Sequence, residues 1–205
     1  MPSFSEAFLE ETRSLLAAID AMEVERVAAG LRKARDRGGR LFILGVGGSA
    51  GHASHAVNDF RKICGFEAYT PTDNVSELTA RINDEGWESV FAEWLKGSRI
   101  GADDAVLVFS VGGGDLARKV SVNLVRALEL AGSRGTAIFG VVGRDGGYTR
   151  GVSEACVVIP PLFEERVTPH TEGLCAVIWH LLVSHPSLAL ERTRWESLAP
   201  AARVQ

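Results

Sequence analysis

The sequence predicts an α/β protein: a three-layer sandwich around a central parallel sheet, preceded by an N-terminal helical segment. Four short, continuous apolar runs, "RLFIL", "AVLVFS", "TAIFGVV" and "ACVVI", recur along the chain, each bounded by glycine or polar residues. Between them, apolar residues fall at helical spacing instead. Strands that are apolar on both faces and separated by helices belong to a parallel sheet covered on both sides. No linker, repeat or low-complexity stretch divides the chain. Residues 1–190 are therefore expected to form one domain, and 191–205 a peripheral tail without chemistry.

The elements follow in order. Phe4, Phe8, Leu15 and Ile19 recur at helical spacing, and Val24, Val27, Leu31 and Ala34 do so again. Between the two sets, Asp20 stands three residues before Glu23, the capping-box arrangement, which predicts a helix break there. Gly38 and Gly39 end the second helix. This segment, about residues 3–37, carries Phe4, Phe8, Leu9, Leu15, Leu16 and Ile19, more apolar surface than one edge of a small sheet covers, and reads as a pair of oligomerisation helices. Beyond the first strand, helices are expected over 53–63, 85–95, 116–131 and 171–183.

Composition excludes several classes of function. The chain has 205 residues, 46% hydrophobic and 23% charged, as in soluble globular proteins. A net charge of −4 argues against a nucleic-acid-binding surface. The opening "MPSFSEAFLEETRSLL" is acidic where a signal peptide is basic, and "LCAVIWHLLV" is too short to span a bilayer. Cys64, Cys156 and Cys175 are widely spaced and odd in number, so neither a disulfide framework nor a zinc ribbon is expected. The expected setting is cytoplasmic.

In an open parallel sheet, ligands sit beyond the carboxyl ends of the strands. Three loops converge there: "GVGGSA" after the first strand, "SVGGGD" after "AVLVF", and "GRDGG" after "TAIFGVV". Glycine by itself only permits a tight turn. Two glycine runs that each enter a helix also offer backbone N–H groups to an anion, with hydroxyls from Ser49 and Ser110. "GVGGSA" also fits the dinucleotide pattern G-x-G-x-x-A, with Glu67 at the distance of a ribose-binding acid. That reading gives no reason for the histidines just downstream.

His55 and Asp59 are four residues apart, on one face of a helix, with His52 on its neighbouring edge. Downstream, "HTEGLCAVIWH" holds His170, Glu172 and His180, whereas His185 reads as structural. Two imidazoles and two carboxylates suit Zn²⁺, and less specifically other divalent cations.

Together, "GVGGSAGHASHAVNDF", "TARINDEGWESVF", "GRDGG" and the helix from Glu172 to His180 resemble the sugar isomerase (SIS) domain family, and within it the bacterial phosphoheptose isomerases. The resemblance runs from the N-terminal helices to about residue 185. It implies a flavodoxin-like SIS sandwich, a homotetramer with sites at subunit interfaces, and conversion of sedoheptulose 7-phosphate to a heptose 7-phosphate through an enediolate. It also implies one zinc ion per site, held by His55, Asp59, Glu172 and His180. The sugar phosphate would lie against Gly47, Gly48 and Ser49 of the first loop and Ser110, Gly112 and Gly113 of the second. The family's asparagine–aspartate pair falls on Asn83 and Asp84. Asp59 would be the base and His180 its acid partner, with Glu172 the alternative base.

The chain departs from the family at three places. Asp59 replaces a glutamate and is one methylene shorter. Glu172 replaces a glutamine and adds a charge. In the second loop hydroxyls are absent at Val111 and Gly112, and Asp115 occupies a serine position, where it would repel a phosphate unless it points away or holds a cation. Geometry adds a condition, because Glu172 and His180 would stand about 12 Å apart on one continuous helix. Either Glu172 precedes the helix and folds back, or one ligand comes from a neighbouring subunit. Two other classes stand beside the isomerase: a non-catalytic SIS-type binding protein, like those associated with replication initiators, and a dinucleotide-binding enzyme.

Overall fold

The computed structural model describes residues 1–198; of the expected tail, 199–205 lie outside the described residues. Two helices, α1 (Phe4–Ala17) and α2 (Ala21–Asp36), precede strand β1 (Leu41–Leu44). The chain continues through α3 (Gly48–Lys62), β2 (Ala68–Tyr69), α4 (Val75–Glu85), α5 (Val90–Gly97), β3 (Ala105–Ser110), α6 (Val122–Ser133) and β4 (Ala137–Gly143). It closes with α7 (Gly147–Val152), β5 (Ala155–Ile159), a 3-10 turn at Glu164–Arg166, α8 (Val167–Ser184) and α9 (Arg194–Ser197). The sheet is parallel throughout, in the order β2-β1-β3-β4-β5.

The alternation of side chains along each strand divides the core in two. Leu41, Ile43, Leu107, Phe109, Phe139 and Val157 face α2, α3 and α8, while Phe42, Leu44, Val106, Val108 and Ile138 face α5 and α6. This is the expected three-layer sandwich. Gly30 sits mid-helix in α2 because a β-carbon there would enter the Phe139 ring, so the helix loses some intrinsic propensity but gains close packing on β4. β5 ends one side of the sheet, and α2 covers part of its open backbone. The Cys156 N–H donates to Glu23, and the Arg26 guanidinium donates to the Glu154 carbonyl.

Several boundaries differ from expectation. The helix expected over 85–95 starts only at Val90, because Gly86 at φ 85° and the turn after it close an earlier helix, α4, that was not expected. The helix expected from 116 starts at Val122. Residues before it form a loop closed by paired backbone hydrogen bonds between Asp115 and Val120, so the second glycine run does not enter a helix directly. α3 starts at Gly48 and α8 at Val167, both earlier than expected, and the short β2 and α7 carry too few residues to show a period. The break after α1 is capped by Asp20, but onto Met22, while Glu23 turns to β5. The complete capping box lies at Ser3 and Glu6 instead. Among the described residues no helix is long and apolar enough to cross a membrane.

Candidate active site

The carboxyl ends of β1, β3 and β4 open onto a cleft of about 420 Å³. The first loop turns at Gly47, φ 62°, and starts α3 with no side chain capping its first N–H groups. Ser49, nearly buried in that first turn, lines the cleft. At the end of β3, the Ser110 hydroxyl accepts from the Gly113 N–H at 3.0 Å and ties its own loop. The second loop then docks on the third, with Gly113 and Gly114 carbonyls accepting from the backbone of Thr149 and Tyr148 at 2.9 Å and from the Thr149 hydroxyl at 2.7 Å. A β-carbon at Gly113 would strike the Gly146 carbonyl, so these glycines serve contact between loops as much as contact with a ligand.

The expected ligand-binding residues divide into two groups. Ser49, Ser110, Gly112, Asp115 and Glu172 line the cleft. Gly47 and Gly48 are exposed at the start of α3, and Gly113 is buried with its N–H spent on Ser110. Asn83 and Asp84 bond to each other at 2.8 Å on the exposed end of α4, away from the cleft lining. Asp115 lines the cleft, but its carboxylate accepts from the Arg118 N–H at 2.9 Å and lies 3.6 Å from the Arg118 guanidinium, so its charge is partly offset.

The same two helices, α3 and α8, carry a second constellation. Donor atoms of His55, Asp59 and His180 lie within 4.8 Å of one another, with His55 Nε2 and Asp59 Oδ2 3.8 Å apart. His180 Nδ1 is 2.7 Å from the Ala176 carbonyl, which can only accept, so Nδ1 bears the proton and Nε2 is the free donor. The Trp179 ring stacks on His180 at 3.5 Å and meets the edge of His55 at 4.7 Å, fixing both imidazoles from below. Two imidazoles and one carboxylate with their lone pairs converging fit a divalent cation of the zinc type.

Glu172 does not join this group. It lies inside α8 rather than before it, and its carboxylate is pressed against Gly48 at the start of α3, where a β-carbon would overlap it. Fold-back is excluded because the helix already runs continuously from Val167. His170 is structural: it is buried, stacks on Phe8 at 4.3 Å and bonds Glu11 at 2.8 Å. His185 is held by Ser187 and Glu25. Glu67 precedes β2, at the end of the strand opposite the glycine loops, which removes the ribose-binding acid that the dinucleotide reading needs. The cysteines are inert, with burial pushing the Cys64 and Cys156 thiols up to about 12.

Sequence reasoning missed Arg118, Ser121 and Arg144 in the cleft and Trp179 beneath the imidazoles. Arg144 had a signal in plain view, as the cation inside "GRDGG", one of the three loops expected at the ligand site.

No protein-family model matches the chain. It is similar to the lincomycin biosynthesis protein LmbN of Streptomyces lincolnensis, 34% identical over 159 residues, covering 72% of this chain and 56% of that protein. The chain thus spans about half the length of that relative. It is 35% identical over 150 residues to the phosphoheptose isomerase of Trichlorobacter lovleyi, covering 71% of each. The fold is similar to that of the phosphoheptose isomerase GmhA from Neisseria gonorrhoeae, with TM-score 0.76 and 20% identity over 88% of this chain and 96% of that one.

Proposed function

The chain belongs to the phosphoheptose isomerase family of aldose–ketose isomerases, and from that premise we propose that it converts sedoheptulose 7-phosphate to D-glycero-D-manno-heptose 7-phosphate with the help of a bound zinc ion. The observation that carries the reading is the convergence of His55, Asp59 and His180 on the two helices that also bring Ser49 and Glu172 to the cleft.

Moving a carbonyl between C2 and C1 requires taking a proton from carbon, holding an enediolate and returning the proton to the neighbouring carbon. A divalent cation held by His55, Asp59 and His180 would supply Lewis-acid stabilisation of the developing oxyanion. Asp59 is the proposed base. Its Oδ1 accepts from the Asn58 amide at 2.8 Å, which leaves Oδ2 toward the imidazoles. His180, with Nδ1 committed to Ala176, offers only Nε2 for coordination or proton exchange. Glu172 is the alternative base, favoured by its place on the cleft wall itself.

Ser49, Ser110 and the glycine loops are the proposed phosphate cradle, and Asn83 and Asp84 the proposed sugar contacts. Neither of the latter belongs to the cleft lining, so each would reach a sugar there after rearrangement or from a neighbouring copy. Since Glu172 and His180 lie on one continuous helix, a Glu172 ligand would have to come from a second subunit, as it would in the proposed homotetramer with shared sites. The working setting is the cytoplasm.

Metal analysis of the purified protein, with turnover measured before and after chelation, tests this reading. Bound zinc is expected, with activity lost on its removal and severely reduced in His55→Ala and His180→Ala without unfolding. A metal-free protein that isomerises normally would refute the mechanism.

A further inference from the structure

Of the two cations lining the cleft, Arg144 has no partner among the described residues. Among the described residues it takes part in no ion pair and no side-chain hydrogen bond, although it lines both the cleft and an adjoining groove of about 440 Å³ that it shares with Arg118, Asp145 and Glu164. None of the three carboxylates of the cleft is paired with Arg144. Asp115 is turned onto Arg118, Asp145 accepts from the Gly147 N–H at 3.1 Å, and Glu172 rests against Gly48. Arg118, the other cation, is 74% exposed and only loosely paired at 3.6 Å.

The backbone holds Arg144 in an unusual conformation. Its φ is 55°, in the left-handed region, within a loop whose neighbours at 143, 146 and 147 are glycines. Among the described residues four non-glycine residues have positive φ, and three of them, Lys119, Ser121 and Arg144, belong to the two loops that shape the cleft. Glycine would suit position 144 better on backbone grounds alone, so the side chain is the reason to look for a function there. Opposite it stands Gly112, whose absent β-carbon would lie 3.7 Å from Arg144 Cδ. The second loop therefore lacks a hydroxyl at the place where the arginine stem passes.

We propose that Arg144, seconded by Arg118, is the principal anchor of the phosphate monoester, taking over from the hydroxyls absent at Val111 and Gly112. A guanidinium presents several N–H donors in one plane and keeps its charge at every working pH, so it can grip a phosphate dianion that the hydroxyl-poor loop cannot. The proposal rests on the phosphosugar reading for its substrate class, but its probe does not require turnover.

The test is calorimetry of inorganic phosphate binding to the full chain, alongside steady-state kinetics with sedoheptulose 7-phosphate. Arg144→Met should weaken phosphate binding by roughly tenfold or more, as expected for a lost hydrogen bond between charged groups, and raise KM far more than it lowers kcat. Arg144→Lys should recover part of the loss. Arg144→Gly, which suits the backbone, should melt no lower than the parent protein yet bind phosphate as weakly as Arg144→Met, which separates binding from a structural role. Unchanged phosphate affinity in Arg144→Gly, or no phosphate binding by the parent protein, would overturn the proposal. Phosphate held through Arg144 by a protein that turns over no sugar phosphate would sink the isomerase reading and leave the anchor standing. Turnover with an unchanged KM in Arg144→Gly would do the reverse.

Discussion

Glu172 and Ser49 meet the same turn of α3 with opposite effects on an anion. Ser49 offers a hydroxyl to the cleft, while Glu172 lays a carboxylate against Gly48, beside N–H groups that no side chain caps. A helix N-terminus attracts negative charge, so an ionised Glu172 competes there with a phosphate. Glu172→Gln, the residue usual in the family, should therefore keep turnover and tighten phosphate binding, with the gain shrinking at high salt. If Glu172→Gln is dead while Asp59→Asn remains active, the base is Glu172. Ser49→Ala should weaken sugar-phosphate binding by about 1.5–3 kcal/mol with the fold intact, the cost of one hydrogen bond to a charged group. Ser49, Ser110, His55, Asp59 and His180 were legible because short motifs carry them. Arg144 and Trp179 were not, because a lone arginine or tryptophan has no local pattern that says what it will face.

At the scale of elements, α1 is fastened to α8 by one polar cluster. Glu11 accepts two hydrogen bonds from Arg166, at 2.7 and 2.8 Å, and one from His170. The Arg166 contact, then that of His170, holds its carboxyl down at about 2, against an ordinary 4.5. A depressed carboxyl contributes stability that is complete above its unfolded value and is lost as pH falls toward the folded one, because the unfolded chain takes up the proton first. Thermal stability should therefore drop between pH 4.5 and 2 more steeply in the parent protein than in Glu11→Gln. Parallel slopes would show that the cluster is not what holds α1. The elements themselves were readable where a period ran long enough, as in α2 and the four longer strands. They were misread where a loop decided the outcome: α4 was missed, the turn at Gly86 delayed α5 to Val90, and the Asp115–Val120 pairing delayed α6 to Val122.

For the whole molecule, burial on both sheet faces accounts for one chain, but it leaves Phe4, Leu9 and Leu16 of α1, Val75 of α4, and Val177 and Leu181 beside His180 uncovered. A neighbouring copy seated on these faces would cover them and, under the proposed shared site, would bring Glu172, Asn83 or Asp84 to the imidazoles of its partner. Light scattering should give about four times the 22.0 kDa chain mass, and a mass of one chain would remove the shared-site account. The parallel sheet and its two covered faces followed from apolar runs and periodicity, but the strand order did not. The completion of the site did not, because a single sequence does not say which exposed faces meet. The central claim is isomerisation of a phosphorylated sugar. Its most direct test is NMR observation of sedoheptulose 7-phosphate incubated with the zinc-loaded protein. The account predicts conversion to the heptose 7-phosphate, none from unphosphorylated sedoheptulose, and none in His180→Ala. A folded, zinc-loaded protein that binds sedoheptulose 7-phosphate and returns it unchanged would contradict the account and point to a binding protein instead.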